Sequence, residues 1–193
     1  NGNETLTFAK SFEPAQVVAG SADCRVTMMR GQSYRVVFVA QHYDVVDGVK
    51  VPVYPIDKDC GILSMPNNPK ANSDDYDLFY GVDDVIAYDG KATSPVTLNR
   101  IVAQVNFYPD QADWEAAKSL SMEPVSSSMK VSGLAKYFDL WTGTFSDETV
   151  TVNFEKESIL SKENRHVASF YGLANDVVKI NLYLYTTPAD PYV

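Results

Sequence analysis

The sequence is poor in basic residues and in long apolar runs. Its 193 residues carry 16 basic against 25 acidic side chains, a formal net charge of −9. This balance argues against nucleic-acid binding, which needs a basic surface to displace phosphate counterions. The longest apolar run is only a handful of residues, too short to cross a bilayer as a helix. The motifs of a serine-hydrolase elbow or a phosphate-binding loop are also missing.

Cysteine and histidine are scarce as well. Cys24 and Cys60 are the two cysteines, and they fit either one disulfide in an oxidising compartment or two unpaired, buried thiols. The two histidines, His42 and His166, stand at the ends of apolar segments. That position is typical of a rim residue, and no nucleophile and orienting acid accompany either histidine as a catalytic triad requires. We therefore expect no enzymatic activity, no catalytic residue and no cofactor.

Alternation of apolar and polar residues recurs along most of the chain and predicts about ten strands separated by turn signals. The predicted strands are 5–12, 23–29, 33–43, 84–90, 96–109, 128–134, 136–143, 148–156, 165–173 and 176–187, with 51–56 as an edge strand or extended loop. Segment 33–43 has a continuous apolar centre, which favours burial on both faces. This order predicts an all-β fold of hairpins and Greek keys, a sandwich or barrel, in one domain over residues 1–193.

Two segments depart from the alternation. Residues 110–120 predict a short helix, with Asp110 as its cap and an apolar stripe of Trp114, Ala117 and Leu120. Residues 57–77 are rich in Pro, Asn, Asp and Ser. They are too long for a hairpin turn and predict a functional or a mobile loop.

The apolar phase changes near Arg100. Val96 and Leu98 set one phase, whereas residues 101–107 set the opposite one. A β-bulge at 99–101 explains the change, since an extra residue re-aims the strand and lets it pass from one neighbour to another. Alternatively, the strand starts at Arg100 and 96–98 is a separate short strand. We interpret Arg100 as a structural arginine and expect its partner to be one of three nearby acids, Asp77, Asp83 or Asp84.

The segment 74–84 also offers two candidate sites. Asp74, Asp75 and Asp77 are weak candidates for a calcium site, with a solvated acidic loop as the alternative. Tyr76 and Tyr80 are candidates for a ligand surface, since amphipathic rings stack on sugars, with packing at the core and rim as the alternative.

Several phrases together resemble the fimbrillins of Bacteroidetes. DLFYGVDDV (77–85) followed by VTLNRIVAQVNF (96–107) is similar to a short motif of that family and to the strand that follows it. SYRVVFVAQ (33–41) resembles its early core strand, and TVNF (151–154) and HVASFYGLAN (166–175) resemble its later strands. The resemblance implies a transthyretin-like Greek-key β-sandwich. The chain is then a single domain or the N-terminal domain of a longer, two-domain fimbrillin.

The same resemblance implies a subunit of a type V pilus or a fimbria-associated adhesin. Such subunits are exported as lipoproteins to the outer membrane and lose an N-terminal segment to a protease, for which Arg25 and Arg30 are the candidate sites here. Other fimbrial subunits are then the partners, through strand addition, with 5–12 and 176–187 as groove neighbour and exchanging element. Alternatively, both segments complete an intramolecular sheet. A surface-anchored module that binds a carbohydrate or a host protein is the second hypothesis.

Overall fold

The protein is built mainly from antiparallel strands, which confirms the all-β prediction. A computed structural model describes residues 20–86, 94–174 and 176–187. The strands are β1 (Ser33–Gln41), β2 (Tyr43–Val46), β3 (Val49–Pro52), β4 (Ile56–Asp57), β5 (Ile62–Ser64), β6 (Leu78–Ile86), β7 (Asn99–Arg100), β8 (Ala103–Phe107), β9 (Ser126–Ala135), β10 (Tyr137–Asp139), β11 (Thr144–Phe145), β12 (Thr149–Ser158), β13 (Ala168–Gly172) and β14 (Lys179–Tyr185). A helix α1 (Gln111–Ser119) and a 3-10 turn at Asp74–Tyr76 interrupt them.

The described strands form five antiparallel sheets. Their orders are β1–β6–β7, β11–β10–β5–β4, β12–β9–β14, β13–β8 and the hairpin β2–β3. Two predicted strands are divided, because β1 and β2 belong to different sheets and so do β7 and β8. The predicted number of about ten strands is therefore too low for the described residues.

Strand β9 lies at the centre of the core. Its side chains alternate, so that Met129 and Val131 are buried, and the alternation then skips one position to the buried Leu134. The skipped residue is Gly133, which falls in the register shift between β9 and β12 and has a φ of 90°. This is a β-bulge, and glycine suits it because residues that carry a side chain rarely adopt a positive φ.

Strand β13 is buried along its whole length. It pairs with β8 on one side. On the other side the loop residue Asn72 takes the place of a strand: its backbone N–H donates to the carbonyl of Ser169 at 3.0 Å, and its side-chain oxygen accepts from the N–H of Ser169 at 2.8 Å. Phe170 then packs on Phe154 of β12, with 5.3 Å between ring centroids.

The change of apolar phase near Arg100 marks a change of sheet. Strand β7 pairs with β6, whereas β8 pairs with β13. The two residues between them, Ile101 and Val102, belong to neither strand. The predicted passage from one neighbour to another is confirmed, but it takes place through two residues outside both strands and not through a β-bulge. The alternative of a separate strand at 96–98 is wrong, since those residues form none.

The predicted helix is confirmed as α1, which begins after its cap Asp110. The Asp110 carboxylate accepts the N–H of Ala112 at 2.8 Å, as an N-cap residue should. Trp114 is buried, but Leu120 is 69 % exposed. The predicted stripe is therefore wrong at its C-terminal end, because α1 ends at Ser119 and Leu120 lies in its C-cap.

Three other expectations need correction. Residues 23–29 contain no strand, and Met29 in that segment is exposed. The segment 57–77 holds β5 and buries Leu63, Met65 and Ala71, so much of it belongs to the core. Strand β1 is only half-buried, since it lies at one end of its sheet among the described strands. The predicted strand at 5–12 lies outside the described residues.

Candidate functional site

The acidic segment around the 3-10 turn is held by hydrogen bonds to protein groups. Asp74 accepts a hydrogen bond from the Tyr171 hydroxyl at 2.8 Å, and Asp75 accepts one from the Ser73 hydroxyl at 2.8 Å. Asp77 is paired with an arginine at 2.7 Å. Within the described residues no group of three or more metal-ligating side chains comes together. The calcium site suggested at these three acids is therefore not supported.

That arginine is Arg100 on β7, and Asp77 is one of its three expected partners. The Nη2 atom of Arg100 lies 2.7 Å from the Asp77 carboxylate, and its guanidinium stands 5.5 Å from the centre of the Phe79 ring. The pair joins β7 to the residue that precedes β6. Asp84, another expected partner, is instead bound by Arg35 of β1 through two hydrogen bonds of 2.7 and 2.8 Å, which lower the pKa of Asp84.

The two candidate ligand tyrosines are tied to the protein interior. Tyr80 donates its hydroxyl to the carbonyl of Leu140 at 2.8 Å, and its ring packs edge-on against Phe138 at 5.0 Å. Burial raises the pKa of Tyr80. Tyr76 packs against the core, and its carbonyl accepts the hydroxyl of the fully buried Tyr54 at 2.9 Å. These contacts favour packing over a shared platform for a ligand.

Both cysteines are free thiols, so the disulfide alternative is not formed. Cys24 is partly buried and Cys60 is exposed, which also corrects the alternative of two buried thiols. The Cys60 thiol is hydrogen-bonded to the Asp57 carboxylate, and this contact raises the pKa of Cys60. A raised pKa lowers the thiolate fraction that makes a cysteine nucleophilic.

The histidines stand apart and are surrounded differently. His42 lies 3.7 Å from Asp44 and 3.7 Å from Asp75. The ring of His166 stacks on Tyr108 at 4.6 Å between centroids, and its Nε2 atom is buried without a hydrogen-bond partner. Neither arrangement places a nucleophile beside a base.

Two surface features were missed by the sequence reasoning. A shallow cleft of about 460 Å³ lies beside α1. Both basic and acidic side chains line it: Lys118, Lys162, Arg165, Glu115, Glu123 and Glu163. Its charges come from distant parts of the chain, and only the fold brings them together. The hairpin β2–β3 also exposes apolar side chains, Val45 and Val49 most strongly. Its signal was visible in the sequence, because Asp-Gly between two apolar runs predicts a hairpin.

Strand β14 lies at the end of its sheet among the strands that the structure describes. It pairs with β9 through seven consecutive residues, Lys179 to Tyr185. Nothing among the described strands pairs with its other side. Ile180 and Leu182 face the core together with Val131 and Met129, the buried residues opposite them. Leu184 continues this row but is 41 % exposed, so the apolar row is not covered at its C-terminal end.

Comparisons with other proteins add no relative. No protein-family model, no curated protein and no solved structure matches this chain. Among the residues that the structure describes, none of the helices has the length and apolar character needed to span a membrane.

Proposed function

We propose that the protein is a structural, non-enzymatic subunit of a cell-surface fimbria and associates with other copies of itself by β-strand addition. In this proposal the strands form a transthyretin-like Greek-key sandwich, and the protein is exported to the outer surface of the cell. The fimbrillin resemblance of 77–107 supports the proposal, as does the all-β architecture. The observation that carries it is that the outer edge of β14 has no partner strand among the described residues.

An open strand edge presents unpaired backbone N–H and C=O groups, and an added strand satisfies them. The edge of β14 is seven residues long, long enough for a continuous ladder with an added strand. The row of Ile180, Leu182 and Leu184 lies on the core-facing side of that edge. An added strand with apolar residues at alternate positions would cover Leu184, which gives the association a hydrophobic contribution as well as hydrogen bonds.

The position of β14 changes its expected part in the association. The sequence suggested 176–187 as the exchanging element, but β14 is paired within its own chain to β9. We therefore assign β14 the receiving edge. The added strand comes from a neighbouring copy.

Proteolytic removal of an N-terminal segment is the second part of the proposal. Arg25 and Arg30 are exposed, and they lie in a stretch between residues 22 and 32 that contains no strand. Exposed backbone outside a sheet is where proteases cut most readily. Cleavage at either arginine separates the preceding residues from the described sheets.

The alternative of a ligand-binding module that uses Tyr76 and Tyr80 has less support. The hydroxyl of Tyr80 already donates a hydrogen bond to the carbonyl of Leu140, and Tyr76 packs against the core. A glycan array would still test it directly. Saturable binding that is lost in Tyr76→Ala and Tyr80→Ala would favour that alternative over the fimbrial proposal.

The fimbrial proposal is tested by assembly of the full chain before and after mild trypsin treatment, followed by size-exclusion chromatography and electron microscopy. We expect polymers after cleavage. Leu184→Lys should prevent them, because an inward-pointing charge on an edge strand opposes pairing. Leu120→Lys is the matched control, since Leu120 is also exposed but lies at the end of α1. The proposal is wrong if no polymers form under either condition, or if Leu184→Lys assembles as well as Leu120→Lys.

A further inference from the structure

The outward face of the sheet β12–β9–β14 is chemically unlike the rest of this acidic chain. Met129 and Val131 of β9 point into the core, so Lys130 between them points outward, as successive strand residues do. Lys130 is flanked by Asn153 of β12 on one side and Asn181 of β14 on the other. Directly paired residues share a face, so a lysine lies between two amides on an open sheet surface.

The same face continues along β14 with a lysine and two tyrosines. Lys179, Asn181, Tyr183 and Tyr185 occupy alternate positions and therefore project to one side. Lys179 and Tyr183 are the diagonal neighbours of Lys130, at about 7–8 Å for this geometry. Tyr183 is 51 % exposed. We call this surface the lysine–tyrosine face, defined by Lys130, Lys156, Lys179, Asn181, Tyr183 and Tyr185.

Contacts at the end of β14 fix part of this face in place. The hydroxyl of Tyr185 is hydrogen-bonded to the Ser128 hydroxyl at 2.9 Å. The Nζ atom of Lys156 lies 4.8 Å from the centre of the Tyr185 ring and donates to the Thr187 hydroxyl at 2.8 Å. A ring and an ammonium group that are already held by neighbours lose less conformational entropy when they bind a ligand.

The charge of the face indicates an anionic ligand. Lys130 and Lys179 are diagonal neighbours on this face, and Lys156 lies at its other end beside Tyr185, in a chain whose net charge is −9. The exposed Glu155 and the partly buried Glu157 flank Lys156 in sequence, at the bulge of β12. A local cationic patch on an otherwise acidic protein attracts anions at short range.

The other side chains narrow the chemical class. Exposed tyrosine rings offer an apolar surface with a polar tip, which suits the C–H faces and hydroxyl groups of sugars. The asparagines can donate and accept hydrogen bonds with hydroxyl groups. The row from Lys179 to Tyr185 spans about 20 Å at ~3.4 Å per residue, so the face accommodates an extended chain better than a compact ligand.

We propose that the lysine–tyrosine face binds an acidic polysaccharide, with its carboxylate or sulfate groups on Lys130, Lys156 and Lys179 and its sugar rings against Tyr183 and Tyr185. This site is the face of the sheet, whereas strand addition uses the edge of β14. Binding is therefore tested on the unassembled chain and does not depend on whether polymers form.

The test is binding of the full chain to immobilised heparin, which is sulfated, and to polygalacturonate, which is carboxylated, with dextran as the neutral glycan. We expect saturable binding to one or both acidic glycans and none to dextran. The double variant Lys130→Gln with Lys179→Gln should weaken binding about tenfold, since it removes two partly exposed charge pairs. Lys118→Gln with Lys162→Gln removes the same charge from the cleft beside α1 and should leave the affinity unchanged.

A tyrosine variant separates glycan recognition from simple attraction of charge. Tyr183→Ala should weaken binding of the acidic glycan about fivefold or more, because ring contacts contribute beyond charge. The proposal is overturned if neither acidic glycan binds or if the two double-lysine variants lose equal affinity. It is equally overturned if single-stranded DNA binds as tightly while Tyr183→Ala has no effect, which would indicate general attraction of polyanions.

Discussion

The close approach of β13 to β9 makes the substitution Gly172→Ala informative. A Cβ atom at position 172 would lie 2.7 Å from Cδ2 and 3.2 Å from Cδ1 of Leu134, which is fully buried. Overpacking of this kind costs about 1–3 kcal/mol. The backbone of Gly172 is not in the positive-φ region, so alanine also gains about 0.4–1 kcal/mol through the unfolded state. We expect a net loss of about 1–2 kcal/mol in the free energy of unfolding.

The reasoning is tested by repeating the substitution with Leu134 removed. Leu134→Ala alone should cost about 2–5 kcal/mol, because it leaves a cavity in the core. In that background the new Cβ has space, so Gly172→Ala should be neutral or stabilising by up to about 1 kcal/mol. Urea unfolding of the four proteins, followed by tryptophan fluorescence, measures both values. An equal loss in the two backgrounds would refute the proposed contact.

Three further predictions concern single residues. Asn72→Ala should destabilise the protein by about 2–4 kcal/mol, because it removes the side-chain hydrogen bonds to Ser169 of β13 and Ser158 of β12 and places alanine at a φ of 59°. Asn72→Gly, which tolerates that φ, should lose less, and equal losses in urea unfolding would contradict this account. Burial raises the pKa of Tyr171 to about 12 in the folded protein. The neutral hydroxyl therefore contributes its full stabilisation below about pH 10, and this stabilisation is lost as the pH rises through the folded-state pKa. Tyr171→Phe should therefore flatten the fall in stability with pH, and an unchanged slope would contradict the prediction. A thiol assay of the unfolded, unreduced protein should detect Cys24 and Cys60 as two free thiols, whereas none would indicate a disulfide.

Strand and helix positions followed from local patterns where the pattern and the packing agree. The alternation in 128–134 and 148–156 predicted β9 and β12, because one face of each strand is buried and the other is open. Asp110 and Trp114 likewise predicted α1, since a cap and a buried ring act within one turn of helix. In these segments the local signal is sufficient to position the element.

Patterns failed where distant residues decide the structure. Asn72 lies in a segment whose composition predicts a loop, yet its amide completes the edge of β13, 97 positions away in sequence. The change of sheet at Ile101 depends on which strands β7 and β8 pair with, and alternation does not identify a partner strand. Residues 23–29 alternate correctly but have no partner among the described strands.

The candidate sites divide in the same way. The prediction that Arg100 pairs with one of the nearby acids is confirmed, because Arg100 meets Asp77, in the segment that precedes the neighbouring strand. The tyrosines could not be assigned from sequence. A tyrosine on an exposed ligand surface and a tyrosine packed against the core give the same apolar–polar alternation in the sequence. The contacts of Tyr80 with Leu140 and Phe138 identify it as a packed ring.

Hydrogen exchange at β14 tests the central claim most directly. In an edge strand, alternate backbone N–H groups point away from the sheet and exchange quickly, because no acceptor protects them. We predict that the outward N–H groups between Lys179 and Tyr185 exchange rapidly in the unassembled chain and become protected in the assembled form, while the exposed helix α1 is unchanged. Assembly that leaves exchange in β14 unaltered would contradict strand addition at this edge.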